Sequence, residues 1–436
     1  MKKQIRKLIG MYGGWGILTV IAVYVFQLTR FSAWSLFLLG IFLLPVIWYG
    51  DIRRYWSEKE FHEMTGYMEQ LMCSYRREKT ILDSLEDCRI LYVPGSRMET
   101  VLSEAVEKLH GGVGNEKGTV ISAAFQRIES FYPSKRLKML HSFLENVSCM
   151  GGEYRGALDI LLRDLQLWKQ RVILHQKKRM AIRQEETVTV FFAVVFCFLS
   201  RKIMPDYSAA SIVPSIWYQG SLVVTGALFL VGEAFVNWQI SKSWCDYPEK
   251  SEKKRQRQLR RAYEYIMQHT GGIRYYMAVQ LCRKEIQQEF PYWILTVTLY
   301  LQQDSVYQSV LHSMEEQGAI LQQEIQKLLK NIYDMPDSVT SYLKFCEFAN
   351  IPELQTIMKL LYGINTNGVE DTKRQILFLV EQNCFVVSQT EETLLTRKLW
   401  LLEFLKQYPM VVGGIKIVYD LFLFLQFFMK DMQYYI

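Results

Sequence analysis

Five apolar segments interrupt the chain and alternate with long polar stretches. They cover residues 8–29, 31–50, 187–200, 207–232 and 409–429. A helix needs about 20 residues to cross the hydrocarbon of a bilayer, so the first, second and fourth segments are long enough. The third segment is uncharged but short, and the fifth contains two charged residues. The pattern predicts a multi-pass membrane protein with about five spans.

The two long polar regions, roughly 51–186 and 241–408, have the apolar spacing of helices. Leu158, Leu161 and Leu165 recur at intervals of three and four residues, which is typical of a half-buried helix. Alternation with a period of two is almost absent. Proline and glycine breaks predict helices of about a dozen to thirty residues joined by short turns. We therefore predict an all-α integral membrane protein, in which two tandem cytoplasmic helical-bundle domains are joined and followed by transmembrane helices.

The polar regions also resemble each other. One shift of the sequence against itself places Leu144 on Leu361 and Gly151 on Gly368, and a slightly longer shift aligns apolar positions further upstream. The two shifts differ by the length of the loop GGVGNEKG at 111–118, which we expect the second copy to lack. Insertion in a surface loop costs little stability. The pattern predicts a tandem repeat; two generic helix bundles are the alternative.

Glycines mark the corresponding turn in each copy. Gly151 and Gly152 lie in the first copy, and Gly368 lies in the second. Glycine readily adopts the left-handed conformation that ends a helix, and Glu153 suits the positive N-terminal end of the next one. We interpret these glycines as structural turns. Contact of the first turn with a partner is the alternative.

Basic residues give the orientation. They cluster before the first apolar segment, after the second, before the third and after the fourth, and cytoplasmic loops carry the excess of Lys and Arg. Arg201 and Lys202 are the exception on the outer side. The basic start predicts a retained anchor, because no cleavage site of a secretion signal follows. The predicted order is two spans (1–50), a cytoplasmic domain (51–186), a membrane hairpin (187–240), a basic linker and second cytoplasmic domain (241–408), and a last span (409–436).

The net charge of +7 is most visible in the run KSEKKRQRQLRR at 250–261. Near an anionic membrane each positive charge contributes about 1 kcal/mol, so the run predicts a contact with lipid or with an acidic partner. A nucleic-acid patch interleaves aromatic residues, but here Tyr263 and Tyr265 follow the charges, and nucleic acid is not expected. The candidate contact residues are Lys253, Lys254, Arg255, Arg257, Arg260 and Arg261.

Lys416 and Asp420 lie one helical turn apart in the last apolar segment. Charges at membrane depth are costly and usually face protein or water, and a separation of four residues lets these two pair. The pair either only lowers its own insertion cost, or takes part in helix association or in contact with a translocated segment.

Local motifs for catalysis or metal binding are missing. The six histidines lie far apart, and none of the eight cysteines forms a CxxC pair. The loop at 111–118 has Glu116 where a phosphate-binding loop needs its second glycine. We expect free thiols in a reducing compartment, no catalytic, cofactor or metal site, and no enzymatic activity. An active site assembled from distant residues is the alternative.

The sequence MGGEYRGALDILL at 150–162, preceded by FYP at 131–133 and followed by a membrane span, resembles the type II secretion F domain. The resemblance covers about residues 61–429, because the second copy keeps the order of helix, turn, helix and span. The tandem form is similar to two-domain platform proteins, and the leading pair of spans is similar to tight adherence (Tad) platform subunits. The chain departs from the family at 74–79, where a glycine-containing turn is usual, and at Asn367, which replaces a paired glycine.

This resemblance implies a function without a catalytic site. The family contains inner-membrane platform proteins of type II secretion, type IV pili and Tad pili. The expected partners are a cytoplasmic hexameric ATPase, pilin or pseudopilin subunits, membrane lipid, and a second platform subunit or further copies of this chain. The expected location is the cytoplasmic (inner) membrane. A membrane-anchored helical scaffold or receptor of another system is the alternative, and a transporter would need more polar residues at mid-membrane in matched halves.

Overall fold

A computed structural model of the protein describes residues 2–111, 117–151, 154–203, 205–241, 249–301, 304–314, 317–366 and 369–435. These residues form 17 α-helices and no strand, as the missing period of two predicted. The helices are α1 (Lys2–Phe26), α2 (Arg30–Glu78), α3 (Ile81–Ile90), α4 (Arg97–Gly111), α5 (Lys117–Phe131), α6 (Lys135–Met150), α7 (Arg155–Ile203), α8 (Asp206–Ile212), α9 (Ile216–Ile240), α10 (Glu249–Gln268), α11 (Ile273–Tyr300), α12 (Val306–His312), α13 (Ala319–Asp334), α14 (Val339–Leu343), α15 (Pro352–Thr366), α16 (Val369–Leu405) and α17 (Tyr408–Tyr435).

The chain divides into two compact units. The first, here called the membrane unit, comprises Met1–Lys59, Val172–Trp244 and Leu395–Ile436. The second, here called the polar unit, comprises Glu60–Arg171 and Cys245–Leu394. Both copies of the proposed repeat contribute to the polar unit.

Four helices of the described chain are long and apolar enough to cross a membrane. They are Leu8–Phe26, Arg30–Glu78, Ile216–Ile240 and Leu402–Lys430. They overlap the first, second, fourth and fifth predicted segments, which indicates a membrane protein. The fourth segment, predicted at 207–232, is divided near Pro214 into α8 and α9, and its apolar helix begins only at Ile216. The third segment, 187–200, lies within α7, which is not among the four, because its uncharged stretch is short.

Three helices are longer than the breaks in the sequence predicted. Helices α2 and α7 have 49 residues each, and α16 has 37. The predicted helix lengths were wrong here because 51–78 and 155–203 contain no proline, so nothing in the sequence stops the helix where apolar residues give way to polar ones. Each of the three helices contains residues of both units.

Pro45 lies inside α2 without ending it. Proline has no N–H, so the carbonyl of Ile41, four residues earlier, loses its helical partner. The hydroxyl of Tyr12 in α1 donates a hydrogen bond to this oxygen at 3.4 Å. An unsatisfied carbonyl is costly in hydrocarbon, so the contact from α1 helps α2 to continue through the proline.

The turn between α1 and α2 is held by α9. The buried amide of Gln219 accepts the N–H of Thr29 at 3.0 Å and donates to the carbonyl of Gln27 at 3.1 Å. Gln27 has a left-handed backbone, with φ of +50°. Arg201, part of the basic pair that broke the charge rule, donates to the carbonyl of Val25 in the last turn of α1, where a cation is favourable.

Helices α9 and α17 approach closely at Gly232. A Cβ atom on this residue would come within 2.2 Å of the Tyr408 ring. The Tyr408 hydroxyl donates to the carbonyl of Phe229 at 2.9 Å, which fixes the ring there. The missing side chain of Gly232 therefore permits this contact, as small residues commonly do between membrane helices.

We expect Gly232→Ala to destabilise the membrane unit, by about 1–3 kcal/mol, because the added methyl group displaces Tyr408. Gly220→Ala is the matched control in the same helix, since nothing lies within 4 Å of its Cβ position. The control should be neutral or stabilising by up to about 1 kcal/mol, because alanine favours helix. Unfolding of the full chain in mild detergent with added SDS measures both, and equal effects would contradict this packing.

The polar unit has two halves, Glu60–Arg171 and Cys245–Leu394. Corresponding helices of the two halves begin at the residue offsets found in the sequence. Ile81 begins α3 and Val306 begins α12, and the longer of the two sequence shifts places one on the other. Lys135 begins α6 and Pro352 begins α15, and these two coincide under the shorter shift. In place of the 15-residue α5, the second half has the five-residue α14 and a 3₁₀ turn at Glu347–Ala349. The second half therefore differs from the first at helix α5 as well as at the loop 111–118. Part of that loop lies outside the described residues.

The core of the second half is built around Trp293 in α11. Its ring is fully buried and stacks on Phe345, with 5.1 Å between the centroids. The indole nitrogen donates to the Ser313 hydroxyl at 2.9 Å. From α16, the side chain of Asn383 donates to the carbonyl of Pro291 at 2.6 Å. The donors of these contacts are satisfied within an otherwise apolar core, whereas Oδ1 of Asn383 is buried and has no hydrogen-bond partner among the described residues.

The two halves also pack against each other within the polar unit. Helix α6 contacts α11, and Leu377 of α16 lies 3.0 Å from the Cβ position of Gly156 in α7. Arg171 donates to the Ser388 hydroxyl at 2.7 Å. The halves thus share one compact unit.

A buried histidine links three helices of the first half. Nδ1 of His141 in α6 bonds Glu129 of α5 at 2.9 Å, and Nε2 bonds the Tyr67 hydroxyl of α2 at 3.0 Å. The imidazole stacks on Phe125, with 4.0 Å between the ring centroids. Burial lowers the pKa of His141, although Glu129 acts in the opposite direction. The folded state therefore favours the neutral ring.

We expect acid to weaken this part of the polar unit. The pKa of His141 is lower in the folded than in the unfolded chain, so the unfolded chain binds more protons below about pH 6.5. The stabilisation is complete above that pH and falls, by up to about 1.4 kcal/mol per pH unit, as the pH drops towards the folded pKa. Hydrogen exchange of α5 and α6 in the full chain, corrected for intrinsic rates, measures it at several pH values. His141→Gln should reduce the pH dependence, and an unchanged slope would contradict this role.

Candidate functional site

Lys416 and Asp420 of α17 form an ion pair inside the membrane unit. Nζ of Lys416 bonds Oδ1 of Asp420, and each residue is 2% exposed. The ring of Tyr218 in α9 faces the ammonium group, with 4.2 Å between Nζ and the ring centroid. The carboxylate and the aromatic face together replace the hydration that both charges lose on burial.

A groove lies beside this pair, between α9 and α17. Its volume is about 610 Å³, and its walls are mostly apolar. Trp217 and Ile415 line it and are well exposed, at 70% and 66%. Gly220 contributes a small surface, and Lys416 is the one charged residue among the described lining residues. The groove can accept an apolar helix or acyl chain close to a buried charge.

We expect the single variants Lys416→Met and Asp420→Leu each to destabilise the membrane unit by about 3–5 kcal/mol, because each leaves an uncompensated buried charge. The double variant Lys416→Met/Asp420→Leu should approach wild-type stability, since it removes both charges. Unfolding of the three full-length variants in detergent gives the coupling energy. Additive losses would show that the pair is not an interacting unit.

The basic run begins helix α10, which is fixed to the polar unit. Leu259 and Ile266 pack in the core of the second half together with Tyr263. The Tyr263 hydroxyl bonds the buried carboxylate of Glu324 in α13, whose other oxygen accepts the N–H of Cys346 at 3.1 Å. Within 249–268 the predicted basic linker is therefore a packed helix.

The candidate contact residues of α10 differ in their surroundings. Arg257, Arg260 and Arg261 are exposed. Arg255 pairs with Glu285 of α11. The side chains of Lys253 and Lys254 lie outside the described residues, although both residues belong to α10. Three arginines therefore form the exposed basic face of α10.

Gly151 ends α6 with a positive φ and an extended ψ of −150°, rather than with the left-handed helical conformation expected from the sequence. Its φ is +77°, and its N–H donates to the Val147 carbonyl at 2.9 Å. This geometry suits glycine and would strain other residues. Gly152 and Gly368, the other predicted turn glycines, lie outside the described residues.

A charged cluster at one end of the membrane unit was missed from the sequence. Arg183 of α7 bonds Asp51 of α2 at 2.5 Å and lies 3.9 Å from Glu233 of α9. Arg54 lies 3.4 Å from the same Asp51 carboxylate. In the sequence these arginines indicated only orientation. Because the partners come from three distant helices, no local spacing could reveal the cluster.

Comparison with known proteins identifies no family for this chain. No protein-family model, curated protein or solved structure matches this chain. Membership of the type II secretion F family therefore stays a prediction from the sequence. Within the described residues, no group of three or more His, Cys, Asp or Glu side chains could hold a metal ion.

Proposed function

We propose that the chain is an inner-membrane platform protein of a pilus or secretion machine, of the Tad or the type II secretion and type IV pilus kind. It would couple a cytoplasmic hexameric ATPase to the assembly of pilin or pseudopilin subunits. The observation that carries this proposal is the continuity of α2 and α7, which contain residues of both units without a break. Each of these 49-residue helices is about 70 Å long. Continuous helices of this length suit a protein that couples an ATPase in the cytoplasm to the assembly of subunits in the bilayer.

The proposed topology has five spans, the N-terminus in the cytoplasm and the polar unit in the cytoplasm. The fifth crossing is made by residues 187–200 of α7, in addition to the four apolar helices. The basic clusters that flank the apolar segments support this orientation. Arg201, on the proposed outer side, bonds a backbone carbonyl of α1, and this contact gives the exception to the charge rule a structural role.

In this proposal, the groove between α9 and α17 receives the apolar segment of a pilin or pseudopilin during its transfer. Trp217 and Ile415 offer apolar contact, and Gly220 lets a helix approach closely. Lys416 and Asp420 place a buried ion pair next to the translocated segment. The exposed basic face of α10 (Arg257, Arg260 and Arg261) would steer the ATPase, through charges of opposite sign.

A scaffold or receptor of another system is the second candidate. The packed polar unit with its exposed basic face would equally suit an acidic signalling partner. This candidate requires no occupant of the groove, which separates it from the platform by experiment.

The decisive test is crosslinking in native cells. A photoreactive residue at Trp217 or Ile415 should capture a small pilin-like membrane protein, and one at Arg257 should capture the ATPase, as mass spectrometry of the products would show. Tyr24 in α1 is the control, because it is 87% exposed but does not line the groove. If pili or secretion are active and crosslinks form with neither partner, the scaffold replaces the platform.

Reversal of the basic face tests the ATPase contact separately. Arg257→Glu/Arg260→Glu/Arg261→Glu should lower recovery of the ATPase by about tenfold or more, because like charges now meet at the interface. The matched control reverses Lys108, Lys138 and Lys330, three exposed lysines elsewhere in the polar unit. An equal loss in both triple variants would indicate a general charge effect and remove α10 from the contact.

A further inference from the structure

A small pocket lies where three helices of the membrane unit leave their apolar segments. Its lining combines polar and charged residues with two apolar ones: Arg54, Ser57 and Glu58 of α2, Gln176, Arg179 and Met180 of α7, and Ile240 and Ser241 at the end of α9. Two guanidinium groups and several hydroxyl or amide groups therefore share one recess. It is distinct from the basic face of α10, which belongs to the polar unit.

The guanidinium group of Arg54 is incompletely satisfied. Its Nη2 lies 3.4 Å from Asp51, and its Nε lies 4.0 Å from Glu58. Nη1 is buried and has no hydrogen-bond partner among the described residues. A buried donor without an acceptor is costly. An acceptor from outside the described residues would therefore stabilise Nη1 of Arg54.

Arg179 places a second positive charge in the same pocket. It donates to the Gln239 carbonyl at 2.6 Å. Burial and the charge of Arg54 together lower the pKa of Arg179 to about 10. The Glu58 carboxylate acts in the opposite direction on the pKa of Arg179 and offsets part of the repulsion between the two guanidinium groups. A bound anion would offset the rest. Phosphate is the anion that fits best, because its oxygens match the planar fork of arginine.

The surroundings favour a lipid as the source of that phosphate. Tyr55, Trp56 and Trp238 are exposed and lie within three residues of pocket-lining positions in the sequence. Such aromatic residues concentrate at the membrane–water interface. Arg54 follows the uncharged segment 31–50 by one helical turn. Lys177 and Lys178 are exposed on α7, where they would attract an anionic surface.

We infer that this pocket binds the phosphate group of an anionic phospholipid, with the Arg54 and Arg179 guanidinium groups as its principal ligands. Nη1 of Arg54 gains its acceptor, and the repulsion between the two arginines is offset. Because the lining residues come from α2, α7 and α9, the lipid joins three helix ends of the membrane unit. This inference does not depend on the proposed function.

The test uses delipidated full-length protein in dodecyl maltoside, an uncharged detergent, and native mass spectrometry. Phosphatidylglycerol, phosphatidylcholine and glycerol 3-phosphate are added in turn. We expect one phosphatidylglycerol to bind about tenfold more tightly than phosphatidylcholine, as one additional charge-assisted contact would give. If glycerol 3-phosphate binds as tightly as phosphatidylglycerol, the site takes soluble phosphate and the lipid assignment is wrong.

The double variant Arg54→Gln/Arg179→Gln should weaken phosphatidylglycerol binding by at least about tenfold. Lys177→Gln/Lys178→Gln removes the same charge from the exposed surface of α7, and should change binding by less than about twofold. Equal losses in the two variants would show non-specific attraction and overturn the site. If circular dichroism shows that the first variant is misfolded, the preference of the wild-type protein for phosphatidylglycerol decides alone, and its absence refutes the inference.

Discussion

The membrane unit depends on one constraint: polar groups carried into the apolar layer must find their partners within the protein. Lys416 pairs with Asp420, and Tyr12 bonds the carbonyl that Pro45 leaves open; water cannot supply either bond at membrane depth. Gln219 bonds the backbone of the α1–α2 turn. Each bond also joins two elements or two turns of a helix, so satisfying a polar group fixes the packing at the same time.

The polar unit meets the same requirement with different means. Its core residues are apolar and aromatic, as around Trp293, and its few buried charges are tied to neighbouring helices, as Glu324 is to Tyr263. Such a unit can pack in water without lipid. A protein that contains both kinds of unit on shared helices is suited to work at the boundary between the two environments, which is where the proposed platform would act.

The sequence predicted those features that depend on neighbours along the chain. Lys416 and Asp420 are four residues apart, so their pairing followed from helical geometry. One of the proline and glycine breaks from which the helices were predicted, at 93–95, separates α3 from α4. Features that depend on distant partners were not predictable. Gln219 bonds a residue 190 positions away, and the Arg54 and Arg179 pocket combines three helices. The helix lengths were wrong for another reason. Where no proline is present, a helix continues unchanged from apolar residues into polar ones, so the change in composition does not predict its end.

The hydrogen bonds of Gln219 also bear on the order in which the protein is made. Thr29 leaves the ribosome 190 residues before Gln219 does, so the first hairpin enters the bilayer before its turn has a protein partner. Until α9 has been inserted, water must accept the N–H of Thr29 and donate to the carbonyl of Gln27. The turn therefore changes from hydrated to protein-bonded only once α9 has been inserted.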